Sequence, residues 1–313
     1  MTKKIILDCD PGHDDALALT MAVASPKIDV LAVTTSAGNQ TPDKTLNNAM
    51  RMLTLLHRED IPVAQGNQTP LVEPLETAPE VHGETGLDGA DLPDPDFKVQ
   101  PIPAIELIAK TLRESDEKVT LVVTGPMTNA ALFLRVYPDL AKEKIDQIVF
   151  MGGAMGLGNW RPSVEFNIFV DPEAAKIVMN FGPPLVMAPL NVTHKAQIMK
   201  DEIKQIGQIN NPVAQAFHGL LNFFEQYHEN PKWGFKGAPL HDSCTIAWLI
   251  DPTMFGTDKM NVDVETQGDL TRGETVCDYY HLTDKPQNTE VLLDIDREKF
   301  IQLIMDTLQS FSN

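Results

Sequence analysis

Residues 3–24 read KKIILDCDPGHDDALALTMAVA and combine the pattern of a strand, a turn and a helix with a high local density of acidic residues. The apolar run at 4–9 predicts a buried strand, and the apolar residues spaced about one turn apart at 14–24 predict a helix. Asp8 and Asp10 are two positions apart, so they share one face of the strand. A Pro-Gly pair between strand and helix suits a tight turn. The stretch therefore predicts the first strand–turn–helix unit of an α/β sheet, with carboxylates gathered at the turn.

Strand and helix patterns continue to alternate until about residue 190. Continuous Val, Ile and Leu runs are typical of parallel strands that are buried on both faces. We therefore expect an α/β fold: one large domain over residues 1–313 with a mainly parallel, Rossmann-like open sheet flanked by helices, and a carboxyl-terminal extension of helices and short strands. The predicted strands are 4–9, 28–35, 62–64, 118–124, 147–151 and 184–189, followed by β-like runs at 262–266, 274–280 and 290–294. The predicted helices are 14–24, 42–57, 128–136, 171–180, 211–228, 242–249 and 297–311. Two long connections, 66–101 and 152–170, are of the kind that carries function in compact domains.

The composition excludes several classes of protein. The chain has 313 residues and a formal net charge of −19, and it shows no Lys or Arg cluster of the kind that binds nucleic acid. No apolar run approaches the roughly 20 residues of a membrane helix, and the amino terminus lacks the apolar region of a signal peptide. The three cysteines include no CxxC pair, which argues against a disulfide framework or a zinc finger and favours a reducing compartment. We expect a soluble, cytoplasmic protein that binds neither nucleic acid nor membranes.

The acidic residues at the first turn require a counter-charge. Asp14 and Asp15 lie at the start of the predicted helix, where its dipole stabilises a negative charge by only about 0.3–1 kcal/mol. That gain cannot offset the repulsion among three or four carboxylates that are held away from water, whereas a bound cation can. Ligands that are all oxygen favour Ca²⁺ or Mg²⁺ over Zn²⁺. The alternative is a simple helix cap with solvated acidic neighbours.

A second acidic junction lies far along the chain. Asp242 follows His241 and opens a predicted helix. A calcium site needs about six to eight oxygens, and Asp242 could supply one of them. The carbonyl of Thr124, at the end of a predicted strand, could supply another because strand ends share one edge of a parallel sheet.

The sequence resembles the nucleoside hydrolases, the inosine-uridine preferring family of ribonucleoside N-glycosidases. The amino-terminal motif DCDPGHDDALAL resembles the family pattern DxDPGxDDAxAL. Further segments resemble family segments in the same order, from Lys3 to the last helix: VTTSAGNQT, HGETGLDGADLP, TGPMTNAA, VFMGGAMGLGN, EFNIFVDPEAA and LHDSCTIAWLID. The resemblance implies an enzyme of nucleoside salvage that hydrolyses the N-glycosidic bond of purine or pyrimidine ribonucleosides to ribose and free base.

The resemblance also implies a metal and a general base. The family holds one Ca²⁺, and its ligands correspond here to Asp10, Asp15, the backbone carbonyl of Thr124, and Asp242. Asp10 then takes a proton from the water that is bound to Ca²⁺. This agrees with the hard-cation site that the acidic residues predict on their own.

The family's sugar contacts fall on residues with suitable side chains. Carboxylates accept hydrogen bonds from hydroxyls, and Asn amides both donate and accept. Glu165 and Asn159 lie in the second long connection, where the family recognises the 5′-hydroxyl. The full set of implied ribose contacts is Asp14, Asn39, Met151, Asn159, Glu165, Asn167 and Asp242.

The group that protonates the leaving base remains open among four residues. His241 adjoins the implied ligand Asp242, and an imidazole suits general acid catalysis near neutral pH. His82, in the HGETGLDG segment, resembles the family's histidine on the base side of the site. Tyr227 and His228 lie on the helix before His241 and are further candidates for contact with the base, as is Phe224, although core packing is the alternative for Phe224 and Tyr227. Some family members have Tyr where this chain has His228.

Two other functions fit parts of the pattern. A strand followed by DxD also opens the Mg²⁺-dependent phosphohydrolases of the haloacid dehalogenase type, but the residues after DCD differ from theirs. A Ca²⁺-dependent protein that binds ribose or nucleosides without turnover would be expected to have lost Asp10 or His241. The segments look closest to bacterial family members of pyrimidine or broad preference, although the sequence does not name the base. Since family members are dimers or tetramers, we expect a homo-oligomer.

Overall fold

The first strand occupies the middle of the central sheet. The computed structural model describes residues 2–311. Six strands are labelled β1 (Lys3–Cys9), β2 (Ile28–Thr35), β3 (Val63–Gln65), β4 (Val119–Val123), β5 (Ile145–Met151) and β6 (Leu185–Ala188). They belong to an eight-stranded sheet of order β3-β2-β1-β4-β5-β6, followed by Thr289–Ile295 and then Phe255–Met260. All paired strands are parallel except Phe255–Met260, which pairs antiparallel at the edge. The predicted mainly parallel α/β fold is confirmed.

Helices cover both faces of this sheet. Ile5, Leu7 and Cys9 of β1 belong to one apolar cluster and Ile6 to another, as expected for a strand whose side chains alternate between two buried faces. The longer helices are His13–Ala24, Pro42–Leu55, Ala104–Glu114, Thr128–Val136, Pro172–Met179, Pro212–His228, Ser243–Ile250 and Arg297–Gln309. The shorter ones are Pro79–His82, Pro138–Lys144, Phe166–Val170, Leu190–Thr193 and Lys200–Ile206, and single 3₁₀ turns occupy Pro231–Trp233 and Pro252–Met254.

The order of the strands creates a gap at one end of the sheet. Along the chain, β2 and β3 are added on one side of β1, and β4, β5 and β6 on the other. Connections therefore leave β1 and β4 in opposite directions, which opens a crevice outside their carboxyl ends. The turn after β1 contains Asp10, and Thr124 follows β4 directly. The fold thus places the acidic turn where α/β proteins bind ligands.

The sequence prediction was wrong in several local details. The connection at 66–101 contains the helix Pro79–His82, and the connection at 152–170 ends in the helix Phe166–Val170. Helix Ala104–Glu114 and strand Phe255–Met260 were not predicted. The predicted strand at 290–294 lies inside the central sheet as Thr289–Ile295, beside β6, because its partners come from distant parts of the chain.

Two small sheets lie apart from the central one. The predicted strands at 262–266 and 274–280 are shorter in the structure, Val262–Val264 and Thr275–Cys277, and they pair antiparallel with each other. Gln197–Ile198 and Ala238–Pro239 form the second pair. Among residues 2–311, no helix combines the length and the apolar character needed to cross a bilayer.

One buried carboxylate ties the 66–101 connection to the core. Asp171 is fully buried and accepts hydrogen bonds from the backbone N–H of Leu71 at 2.9 Å, the hydroxyl of Thr128 at 2.7 Å and the backbone N–H of Ala174 at 3.0 Å. These bonds join the connection to two helices on one face of the sheet.

Replacing this carboxylate should destabilise the fold. Asp171→Ala leaves three donors without their acceptor, so we expect the free energy of unfolding in urea to fall by about 2–4 kcal/mol. The control Asp116→Ala, at an exposed loop position, should change it by less than about 0.5 kcal/mol. Equal effects of the two substitutions would show that Asp171 does not anchor the connection.

Candidate active site

Three carboxylates converge at the crevice between β1 and β4. Asp14 and Asp15 lie in the first turn of the helix His13–Ala24, and Asp242 precedes the helix Ser243–Ile250. One carboxylate oxygen from each lies within 4.8 Å of those from the other two, and all three side chains are buried. Two helix starts that are far apart in sequence therefore bring negative charge to one point.

Asp15 is held by hydrogen bonds from three parts of the chain. Its carboxylate accepts from the backbone N–H of Gly12 at 3.1 Å, from the amide nitrogen Nδ2 of Asn39 at 3.1 Å and from the hydroxyl of Thr124 at 2.7 Å. The backbone N–H of Asp10 donates to it at 3.3 Å. These bonds link the ends of β1, β2 and β4 and fix the carboxylate in one orientation.

Asp10 lies beside this cluster with one oxygen free. Its Oδ2 accepts the backbone N–H of Asn39 at 2.7 Å, whereas its buried Oδ1 has no hydrogen-bond partner within residues 2–311. A Cβ at Gly38 would lie 2.2 Å from Oδ2, and one at Gly125 would lie 2.5 Å from Oδ1. Both positions therefore need glycine, since any larger residue would collide with the Asp10 carboxylate.

The three convergent carboxylates differ from the predicted ligand set in one member. Asp14, predicted as a ribose contact, belongs to the group, and Asp10, predicted as a ligand, lies next to it. Asp14 is therefore close enough to share a cation with Asp15 and Asp242. The carbonyl of Thr124, the other predicted ligand, accepts a hydrogen bond from the side chain of Asn167 at 2.7 Å.

These carboxylates carry an unbalanced negative potential. Burial raises the pKa of Asp14 to about 7. Burial and then the charge of Asp15 raise the pKa of Asp10 well above its ordinary value, and burial and then Asp14 do the same for Asp242. Across residues 2–311, none of the four forms a salt bridge with Lys or Arg. Buried carboxylates, a free carboxylate oxygen and no protein cation fit a hard divalent ion.

A cleft of about 690 Å³ opens above the carboxylates. All nine predicted substrate contacts line it, together with Thr124 and His241. The nine are Asp14, Asn39, His82, Met151, Asn159, Glu165, Asn167, His228 and Asp242. Asp10 and Asp15 are not cleft-lining residues; they are buried in contact with Asn39.

One wall of the cleft is polar and is organised by Glu165. Its carboxylate accepts backbone N–H groups from Asn167 at 2.8 Å, Ile168 at 3.1 Å and Gly153 at 2.9 Å. Burial raises its pKa to about 7. Glu165 thus caps the helix Phe166–Val170 and ties it to the end of β5, a structural role that the sequence did not show.

The amide side chains of this wall keep one end free. Asn167 donates through Nδ2 to the carbonyls of Thr124 at 2.7 Å and Met151 at 3.3 Å, so its oxygen remains available. Asn159 accepts the backbone N–H of Phe166 through Oδ1 at 3.0 Å, which leaves its NH₂ group available. The wall can therefore offer both donors and acceptors to sugar hydroxyls.

The opposite wall is built from histidines and aromatic rings. His228 bonds through Nδ1 to the carbonyl of Phe224 at 3.0 Å. A carbonyl only accepts, so Nδ1 carries the proton; burial lowers the pKa of His228 to about 4, so Nε2 holds a lone pair at neutral pH. His241 bonds through Nδ1 to the hydroxyl of Thr193 at 2.8 Å, and a hydroxyl can donate or accept. His241 is therefore free to carry a proton on Nε2.

Several cleft residues were missed by the sequence analysis. His194 lies with its ring centroid 5.7 Å from that of His241 and 4.8 Å from that of Phe235. Trp160 and Trp233 also line the cleft. The aromatic run KWGF at 232–235, which follows the helix Pro212–His228 after three intervening residues, was a usable signal for Trp233 and Phe235. His194 and Trp160 carry no local pattern that sets them apart.

Comparison with known proteins identifies what this arrangement resembles. The sequence model described as "Inosine-uridine preferring nucleoside hydrolase" matches residues 5–302. A pyrimidine-specific ribonucleoside hydrolase RihA of Enterobacter sp. (strain 638) is 60% identical over 312 residues, which is 100% of this chain and 99% of the relative. The RihA of Shigella boydii serotype 4 (strain Sb227) is 58% identical, with 100% of both chains covered.

Solved structures show the same likeness at lower identity. A purine-preferring ribonucleoside hydrolase from Gardnerella vaginalis has a TM-score of 0.91 at 30% identity, and the match covers 98% of both chains. A plant nucleoside hydrolase has a TM-score of 0.91 at 31% identity, with 99% of both chains covered.

Removing the Glu165 carboxylate should loosen the polar wall. In Glu165→Ala the N–H groups of Gly153 and Ile168 lose their acceptor, so we expect their amide hydrogen exchange to quicken by about 10-fold or more. The control Glu173→Ala removes a partly exposed carboxylate that pairs with Arg272 at 2.7 Å and should leave these amides unchanged. Unaltered exchange in Glu165→Ala would show that other contacts hold this wall.

Proposed function

Since this chain belongs to the inosine-uridine preferring nucleoside hydrolase family and is a ribonucleoside hydrolase, we propose that it hydrolyses pyrimidine ribonucleosides with the help of bound Ca²⁺. The observation that carries the proposal is the group of buried carboxylates at the floor of the cleft, which have no cationic partner among the residues that the structure describes. The pyrimidine preference follows the relatives at 58–60% identity, which are named pyrimidine-specific. Membership of the family leaves no role for the phosphohydrolase alternative.

In this proposal Asp10, Asp15, Asp242 and the carbonyl of Thr124 hold the ion, with Asp14 beside it. Carboxylate and carbonyl oxygens suit Ca²⁺, which accepts six to eight oxygens in flexible geometry. When bound, the ion would lower the pKa of a water molecule and anchor the vicinal hydroxyls of the ribose.

Asp10 is proposed as the general base. It receives the proton of the attacking water, and its Oδ1 is the oxygen without a protein partner among the residues described. The N–H of Asn39 holds the other oxygen at 2.7 Å and fixes the carboxylate plane. A positioned base of this kind contributes about 10²- to 10⁴-fold to a rate.

The remaining polar residues are proposed to bind and orient the ribose. Asp14 and Asp242 accept hydrogen bonds from ring hydroxyls, and Asn39 and Asn167 present free amide oxygens. Asn159 presents its free NH₂ group toward the 5′-hydroxyl. Cleavage of the glycosidic bond builds positive charge on the sugar, as in other glycoside hydrolysis, and the surrounding carboxylates stabilise that charge.

His241 is proposed as the acid that protonates the leaving base. Burial lowers the pKa of His241 well below its ordinary value, so its imidazolium form gives up a proton readily. In that form Nδ1–H donates to the Thr193 hydroxyl at 2.8 Å, and the Nε2 proton passes to the base and leaves a neutral ring. His228 presents a lone pair when neutral and is therefore a hydrogen-bond acceptor toward the base. Tyr227 lies next to His228, with ring centroids 5.2 Å apart, and remains the alternative donor.

We further propose that the protein acts in the cytoplasm as a homo-oligomer. All three cysteines are free thiols, which supports a reducing compartment. The segment 270–282 exposes several large apolar side chains, including Leu270, Tyr280 and Leu282, each more than three-quarters exposed. Apolar side chains concentrated in one exposed segment support contact with a second copy of the chain.

Removing the metal should abolish activity and lower stability together. After treatment with a chelator we expect uridine hydrolysis to cease and to return on addition of Ca²⁺. Because the ion binds the folded state, Ca²⁺ at about 100 times its Kd should add about 2.7 kcal/mol to the free energy of unfolding.

Asp15→Asn is the matched variant for the metal experiment. It keeps the shape of the side chain and removes one charge, so its thermal unfolding should respond much less to Ca²⁺. Full activity in chelator, with a Tm that Ca²⁺ does not change, would refute the metal site.

The effect of His241→Ala on the rate should depend on the leaving group. A poor leaving group such as uracil needs protonation, and we expect kcat to fall by about 10²- to 10⁴-fold. An activated nitrophenyl riboside needs no proton, so its kcat should fall by less than about 10-fold. Equal slowing of both substrates would remove His241 as the acid and point to Tyr227.

A further inference from the structure

The segment 82–89, HGETGLDG, forms a turn that closes on Asp88. The Asp88 carboxylate accepts the backbone N–H of Glu84 at 3.0 Å and of Thr85 at 3.1 Å, and it also accepts the Thr85 hydroxyl. This turn carries His82 at one end, and at the other it places the carbonyl oxygen of Asp88 2.8 Å from Nε2 of His13. The acidic turn after β1 and the HGETGLDG segment therefore meet at His13.

His13 is a buried histidine that the proposed mechanism does not use. Its side chain has no exposed surface, and its ring stacks on Phe223 and Phe224 with centroids 5.4 and 5.3 Å away. Its Nδ1 lies 3.1 Å from Nδ1 of His82, which lines the cleft. His13 thus lies between a backbone carbonyl and a cleft histidine.

The Asp88 carbonyl determines which ring nitrogens of His13 and His82 carry a proton. A carbonyl oxygen only accepts, so the 2.8 Å contact with Asp88 puts a proton on Nε2 of His13. A neutral imidazole has one N–H, and the apolar surroundings of His13 favour the neutral form. Its Nδ1 is then an acceptor, and the facing Nδ1 of His82 must be the donor.

One contact opposes this arrangement and is weaker. The backbone N–H of His13 also points at Nδ1 of His82, at 3.4 Å. That distance is longer than a normal N–H hydrogen bond, whereas the contacts at 2.8 and 3.1 Å lie within the usual range. The shorter contacts decide the tautomer.

We infer that His13 is a positioning residue that fixes His82 as a hydrogen-bond acceptor toward the base of the nucleoside. With its proton on Nδ1, His82 presents the lone pair of Nε2, which makes no hydrogen bond to any of residues 2–311. Uracil and cytosine both carry N–H groups that such a lone pair can bind. This assignment rests on the proposed function for the identity of the ligand. With no proton on Nε2, His82 is no longer a candidate for the acid that protonates the base. The same holds for His228, whose Nδ1 proton is fixed by the Phe224 carbonyl.

The tautomer can be measured on the intact wild-type protein without any substrate. Two-bond ¹H–¹⁵N correlation spectra of imidazole-labelled protein at neutral pH distinguish a protonated ring nitrogen from one that carries a lone pair. We expect His82 to show a proton on Nδ1 and a lone pair on Nε2. A proton on Nε2 of His82 would overturn the proposal, whether His13 is neutral or doubly protonated.

Two substitutions separate the hydrogen bonds of His13 from its packing. His13→Phe keeps a flat ring between Phe223 and Phe224 and removes both nitrogens, so His82 should become a mixture of tautomers. His13→Asn can offer an acceptor near the position of Nδ1 and should restore the wild-type tautomer in part. The control Phe223→Leu removes one stacked ring and no hydrogen bond, so it should leave the His82 spectrum unchanged.

The three variants should affect the kinetics in the same order in which they affect the His82 tautomer. One neutral hydrogen bond to the base corresponds to about a 3- to 10-fold change in KM for uridine, with kcat within about 2-fold, because the contact is made equally in ground and transition states. We expect this rise in His13→Phe, a smaller one in His13→Asn and none in Phe223→Leu. A uniform loss of kcat in all three variants would indicate a purely structural role.

Failure of this inference can be told apart from failure of the proposed function. If the wild-type protein releases no base from any nucleoside but His82 still shows the Nδ1–H tautomer, the hydrogen-bond assignment stands and the substrate is wrong. If uridine is hydrolysed and His82 carries its proton on Nε2, the enzyme assignment stands and the role of His13 is wrong.

Discussion

The structure depends on four carboxylates that are buried together and form no salt bridge with any Lys or Arg of residues 2–311. Asp14, Asp15 and Asp242 have oxygens within 4.8 Å of one another, and Asp10 lies beside them with a buried oxygen that has no partner among the described residues. Helix dipoles offset only a small part of the repulsion. Such a cluster is stable when its members are protonated or when a cation joins them. Gly38 and Gly125 are there because a Cβ at either position would collide with Asp10.

The fold brings these groups together through the order of its strands. The chain runs from β1 outward in one direction and then from β4 outward in the other, so the ends of β1 and β4 face the same crevice. The DPGHDD turn supplies the carboxylates, Asn39 and Thr124 hold them from the neighbouring strand ends, and a distant helix start supplies Asp242. One wall of the cleft is then set by the Glu165 carboxylate. The other is built from histidines, and the Phe224 carbonyl fixes the tautomer of His228.

Much of this could be predicted from the sequence because the decisive residues follow strands directly. Strand runs, the acidic turn and the position of Asp242 after a turn all have local patterns, and the α/β fold followed from them. Helix Ala104–Glu114 also has apolar residues at helical spacing and was within reach. Three features depend instead on residues 12 to 228 positions apart or on the geometry of short loops. They are the convergence of Asp14 with Asp242, the cap that Glu165 provides and the contact of His13 with His82. No periodicity encodes those contacts, and a short helix such as Phe166–Val170 forms only because its surroundings satisfy its ends.

The most direct test of the account is calorimetric titration of the metal-free protein with Ca²⁺ at pH 7 in buffers of different ionisation enthalpy. Burial raises the pKa of Asp14 to about 7 and those of Asp10 and Asp242 well above their ordinary values, so without the ion some of these carboxyls hold protons. Binding of a cation must expel them. The account predicts that Ca²⁺ binds and that about one or more protons are released per ion. Absence of binding, or binding with no proton release, would contradict the claim that this cluster is built for a divalent ion.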